Sequence, residues 1–138
     1  MTSSAPVLAI DFGGTKVATA LVDPDGSVVR RSQMPTAPTQ AGVGDELYAG
    51  IETMVEKVLD GVTPSGIGIG CGGPMDWAAG TVSPLNVPAW REYPLRQRLL
   101  DRFPAAVVRL HNDAIAMAVG EHWRGAGRGS SAFLGVVV

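Results

Sequence analysis

Apolar positions along this chain alternate in short runs at first and fall into helical stripes later. Residues 7–10, 17–22 and 27–34 read as β-strands. The first two flank Gly13-Gly14, and the last two are joined by a turn at Pro24-Asp25-Gly26. Residues 35–44 hold two prolines and two glycines and read as a loop. Over 45–60, Leu47, Tyr48, Ile51, Met54, Val55, Val58 and Leu59 share one helical face, acids fill the first turn and Gly61 stops the helix.

Residues 66–71 alternate glycine with isoleucine, as expected of a buried strand whose backbone something approaches closely. The stretch after it is irregular, with a small hairpin expected about Ala79-Gly80. Pro94 opens a short helix that puts Leu95, Leu99, Leu100 and Phe103 on one side. Residues 106–110 form a strand, and Asn112 or Asp113 caps a nearly all-apolar helix over 114–123, closed by Gly125. Residues 132–138 are a last β-type run. The order β-β-β-α-β-α-β-α-β predicts an α/β fold, a mixed sheet with helices on its faces.

Composition narrows the classes. A chain of 138 residues, 46% hydrophobic and 17% charged, buries a core and is not disordered as a whole. A net charge of −2 gives no reason to expect nucleic acid or an anionic membrane as partner. No membrane span or signal peptide is visible, so a cytoplasmic protein is expected. Cys71 is the single cysteine and reads as a small buried residue; no cysteine-cluster zinc site can form. The 18 glycines are clustered, a sign of tight turns and of backbone close to a ligand.

Three nucleotide signatures fail. Asp11-Phe12-Gly13 spells the metal-binding triplet of protein kinases, but nothing that must precede that triplet is present. Gly14-Thr15-Lys16 lacks the spacing and order of a P-loop. Gly68-x-Gly70-x-x-Gly73 matches the dinucleotide fingerprint in letters, yet Pro74 and an aperiodic stretch follow where a helix must begin.

What remains is strand, Asp-x-Gly-Gly-Thr-Lys, strand. Gly13 and Gly14 expose backbone N–H groups to an anion, Thr15 adds a hydroxyl and Lys16 a positive charge. Asp11 at the strand end suits a magnesium ion held through water. An ordinary β-turn explains the same letters. Asn112-Asp113 lies where a strand hands over to a helix. A cap needs only one of the two, which leaves Asp113 free to accept the proton of an attacking hydroxyl.

"IDFGGTKVATALVD", "GIGIGCGGPMD", "GTVSPLNVPAW" and "HNDAIAMAVGEHWRGAG" together resemble the ROK family of bacterial sugar kinases and sugar-responsive repressors, in order from about residue 8 to the end. The resemblance implies a ribonuclease H-like domain of the actin and hexokinase type, ATP with Mg2+ as cofactors and a hexose as substrate. It places Asp11, Gly13, Gly14, Thr15 and Lys16 at the terminal phosphates, Gly73, Asn86, Asn112 and Asp113 at the sugar, and Asp113 as catalytic base. It implies that residues 7–131 are the N-terminal domain and that 132–138 begin a second domain lying beyond this chain; residues 1–6 read, from their own composition, as a frayed, disordered tail. Any structural zinc would belong to that other half, the parent would be a homodimer or homotetramer, and the 138-residue piece alone would be inactive.

On composition alone Asn86 is a turn residue; Trp90 and Trp123 read as packing, and His111 and His122 as structural. Two other classes share parts of this pattern. A sugar-sensing regulator of the family would carry a helix-turn-helix ahead of the phosphate loop, where only about ten residues stand. A non-catalytic actin-like module would need a partner over its open edge.

Overall fold

The computed structural model describes residues 5–36 and 44–137. Its elements are β1 (Val7–Phe12), β2 (Lys16–Val22), β3 (Val28–Pro35), α1 (Gly44–Leu59), β4 (Gly66–Cys71), β5 (Met75–Asp76), β6 (Thr81–Val82), α2 (Leu95–Arg102), β7 (Val107–Asn112) and α3 (Asp113–Arg124). Five strands form one sheet in the order β3-β2-β1-β4-β7, and β5-β6 is a separate hairpin. The meander β1-β2-β3 is antiparallel, whereas β4 and β7 run parallel to β1. The mixed sheet expected from the pattern is therefore present.

Alternation decides the faces. Leu8, Ile10 and Phe12 of β1 line up with Ile67, Ile69 and Cys71 of β4 and with Val108 and Leu110 of β7; all are buried. This face is covered by α1 over β2 and β3 and by α2 over β7. The other face carries Ala9, Asp11, Gly66, Gly68 and Gly70, and α3 crosses it over β4 and β7. A Cβ on Gly70 would meet the Ala116 methyl at 3.4 Å, so glycine there lets the helix sit close to the sheet.

Two expectations change. Ala5 and Pro6, placed in a frayed tail, accept hydrogen bonds from Ser65, whose hydroxyl reaches Ala5 O at 2.8 Å and whose amide reaches Pro6 O at 3.0 Å; the rest of that tail lies outside the described residues. Residues 132–137 form no strand, since no strand among the described residues pairs with their backbone; residue 138 and loop residues 37–43 lie outside the described residues. The nearly all-apolar helix α3 lies at the surface of this chain. No residue of α3 is fully buried, and Val119 and Trp123 are 65% and 52% exposed. Its closest approach to the sheet is at Gly70, where Ala116 and Asp113 face the strand. Among the described residues no helix is long and apolar enough to cross a membrane.

Candidate active site at the carboxyl edge of the sheet

The parallel strands end together. Asp11, Gly70 and His111 share one rung across β1, β4 and β7, and Phe12, Cys71 and Asn112 share the next. Two interstrand spacings, about 9–10 Å, separate the outer members of a rung. Asp11 and the Asn112-Asp113 pair thus stand on the same edge, on either side of β4. An edge of this kind, where parallel strands deliver their carboxyl ends, is where α/β sheets gather ligand-binding groups.

The loop Gly13-Gly14-Thr15 between β1 and β2 is held by its carbonyls. Gly13 N donates to Lys16 O at 3.0 Å and closes the turn. The Thr36 hydroxyl donates to Gly13 O at 3.2 Å, and the Thr36 amide to Thr15 O at 2.9 Å. The Asn86 side-chain amide donates to Gly14 O at 2.5 Å. In a planar trans peptide the N–H points opposite to the C=O. Carbonyls pinned toward the protein therefore turn the N–H groups of Gly14, Thr15 and Lys16 the other way. Neither Gly14 N nor Thr15 N donates to another described residue. The arrangement is a small nest of backbone donors with the exposed Lys16 side chain beside it.

The two glycines differ in necessity. A Cβ on Gly13 would lie 2.9 Å from Lys16 O, which the turn cannot accommodate, whereas one on Gly14 would have 3.9 Å to Asn86.

Asn86 sits in a turn that Val87 N closes on Pro84 O at 3.1 Å. The Arg91 guanidinium knits this segment together by donating to the carbonyls of Pro84, Val87 and Trp90 at 3.2, 3.0 and 2.7 Å. Trp90, fully buried, then fastens it to the core. Its ring stacks on Phe12 with centroids 4.7 Å apart and on Tyr93 at 4.2 Å, and its indole N–H donates to Gly44 O at 2.9 Å. Trp90 is packing, as expected, and it packs on the residue next to Asp11.

Across the edge, the caps of α3 are shared. Asn112 Oδ1 accepts from Ala114 N at 3.1 Å, and Asp113 Oδ1 accepts from the same amide at 2.8 Å. Asp113 is exposed, and its Oδ2 lies 3.8 Å from where a Cβ on Gly72 would stand. Asn112 Nδ2 is placed likewise, 3.9 Å from such a position on Gly73. The glycines after β4 thus leave a gap into which both polar groups look. Gly73 is joined to Pro74 by a cis bond.

Asp11 and Asp113 do not touch, but both bear on Cys71 between them. Burial, then the charges of Asp113 and Asp11, push its thiol up to about 12. Next to it in the site, His111 has a buried Nδ1 with no partner among the described residues, and Trp77 stands edge-on to its ring at 6.0 Å.

The bracing by Thr36 and the link from Asn86 to Gly14 were not visible in the sequence. The signal for Thr36 was its position directly after β3, opposite the glycine loop. A groove of about 420 Å³ lies at the opposite, amino edge of the parallel strands, between the segments preceding β4 and β7. It holds the Arg102–Glu56 ion pair and none of these groups.

A family model described as "ROK family" matches residues 7–138. The chain belongs to the ROK family. The Thermotoga maritima glucokinase is 38% identical over 125 residues, which are 89% of this chain and 38% of that protein. A ROK-family glucokinase from Streptomyces griseus, solved with glucose and AMPPNP, superposes with a TM-score of 0.76 at 32% identity, covering 90% of this chain and 38% of its own. The ROK hexokinase of Thermus thermophilus gives the same score and identity over 90% of this chain and 40% of its own. This ROK chain therefore spans about two-fifths of the length of these relatives. Its fold is the ribonuclease H-like one of the actin-like ATPases.

Proposed function

We propose that this ROK chain supplies the phosphate-binding loop, part of the sugar site and the catalytic base of an ATP-dependent hexose kinase. The observation that carries the proposal is the pairing, on one sheet edge, of an outward-facing N–H nest with a strand-end carboxylate whose Oδ2 is free of the helix cap.

Phosphoryl transfer needs little covalent chemistry from the protein and much positioning. The N–H groups of Gly14 and Thr15 and the charge of Lys16 would hold the terminal phosphates of ATP. Asn86, Asn112 and the backbone at Gly73 would orient sugar hydroxyls by hydrogen bonds. Asp113 Oδ2 would accept the proton of the attacking hydroxyl as the hydroxyl oxygen bonds to the γ-phosphorus and the bond from that phosphorus to the bridging oxygen breaks, with ADP leaving.

The residues present suit Mg2+. Among the described residues no three His, Cys, Asp or Glu side chains converge, so a cage made of protein alone is absent, and Asp11 offers one exposed carboxylate beside the nest. Magnesium keeps most of its waters and is typically shared between one or two carboxylates and substrate phosphates. Bound there, it would neutralise phosphate charge. Both cited glucokinases make glucose the first hexose to test.

The deciding experiment is a coupled ADP-release assay on the full-length protein carrying this chain, run against a hexose panel with Asp113→Asn as control. Hexose-dependent turnover that collapses in the variant supports the proposal. Turnover on no hexose, or full activity in Asp113→Asn, overturns it.

A further inference from the structure

Asn86 is joined to the glycine loop, and one of its two N–H donors is already spent there. We infer that Asn86 is a positioning residue that sets the Gly14–Thr15 peptide for phosphate binding and makes sugar and nucleotide binding cooperative.

Each carbonyl of the loop has its own anchor. Thr36 holds those of Gly13 and Thr15, and it follows directly on β3, so these two anchors belong to the meander itself. The Gly14 carbonyl is held from elsewhere, by Asn86, 72 residues along the chain. The peptide whose orientation Asn86 fixes is the one that carries the Thr15 N–H. A side-chain amide has two N–H donors and one acceptor oxygen. With one donor on Gly14 O, Asn86 meets a ligand hydroxyl with its Oδ1 and its second N–H.

The segment behind Asn86 is stiff enough to carry the effect. Arg91 ties three of its carbonyls together, and Trp90 stacks on Phe12, at the start of the same loop. A hydroxyl that orients the Asn86 amide therefore steadies the nest, and an anion in the nest steadies Asn86. Linkage requires the two effects to be equal.

The inference builds on the kinase proposal, and its test separates the two. Affinities of the full-length protein for glucose and for AMPPNP are measured by calorimetry, each with and without the other. Wild type should bind each ligand about fivefold or more tightly when the other is present. Asn86→Asp keeps an acceptor for a hydroxyl but loses the donor to Gly14, and it sets a carboxylate against that carbonyl. Its coupling factor should fall to about one, and its AMPPNP affinity without sugar should drop about fivefold, the weight of one net hydrogen bond.

A residue that only binds sugar would weaken glucose equally with and without AMPPNP and leave the coupling factor and the nucleotide affinity unchanged. That result overturns the inference, as does a wild type without coupling. A wild type that binds no hexose, with AMPPNP affinity still lost in Asn86→Asp, would sink the kinase proposal and the cooperativity while supporting the positioning of the loop. Asn86 is exposed, so its replacement removes no core contact.

Discussion

The hydroxyl of Thr36 donates to the carbonyl of Gly13 across 3.2 Å, while its amide holds Thr15. Thr36 is buried, one residue beyond the end of β3, and it fixes both flanks of a loop that reads in the sequence as two glycines between strands. Thr36→Val keeps the shape and removes the hydroxyl, leaving the Gly13 carbonyl without that donor. The expected outcome is a stability loss of about 1 kcal/mol, read by urea denaturation, together with a raised KM for ATP and an unchanged KM for the sugar.

The two glycines of the loop should respond differently to the same methyl group. Gly13→Ala forces a Cβ to 2.9 Å from Lys16 O, so the turn must open and the nest with it. Gly14→Ala meets nothing closer than 3.9 Å. Steady-state kinetics of the full-length protein should show ATP affinity lost in Gly13→Ala and largely kept in Gly14→Ala. Equal losses would mean that the loop tolerates no side chain for reasons other than this contact.

Asp113→Asn retains a cap acceptor for Ala114 N but cannot take up a proton. General-base removal costs about 10²–10⁴-fold in rate. That loss should appear in kcat, with the melting temperature almost unchanged, because Asn112 still caps α3.

Alkaline pH should destabilise the fold before any strand is broken. Burial raises the Cys71 thiol from 9.0 to about 12 and the Tyr48 phenol from 10.0 to about 12, and the Tyr93 phenol is raised too, again mainly by burial. In each case the unfolded chain gives up its proton first. The unfolded state then binds fewer protons than the native one, and stability falls with rising pH. The contribution is intact below pH 9 and is lost between about 9 and 12. Urea midpoints from pH 7 to 10.5 should show the decline, and Cys71→Ala should make its early part shallower. A thiol reagent at pH 8 should leave Cys71 unmodified in the folded protein, since it is both buried and protonated.

Trp90→Ala tests what fastens the Asn86 segment. It removes a fully buried ring stacked between Phe12 and Tyr93 and the donor to Gly44 O. A destabilisation of about 3–5 kcal/mol is expected, measured by denaturant unfolding.

Much of this protein is written locally. Alternation in residues 7–34, the stripe from Leu47 to Leu59 and the cap letters at Asn112-Asp113 determine strands and helices through nearest-neighbour geometry, and these were legible. The motif order was enough to suggest the family, and with it Asp11, the glycine pair, Asn86 and Asp113 as site residues. Tertiary structure decided what depends on long-range contact. Whether residues 132–137 form a strand depends on a pairing partner, not on their β-type letters, and they have none among the described residues. How α3 lies on the sheet depends on Gly70 in β4, which precedes it by more than forty positions. The orientation of the glycine-loop peptides depends on Thr36 and on Asn86, and no local pattern encodes a side chain reaching 72 residues back to a carbonyl. Hydrophobic periodicity records which way a residue faces; it carries no record of which distant group will meet it there.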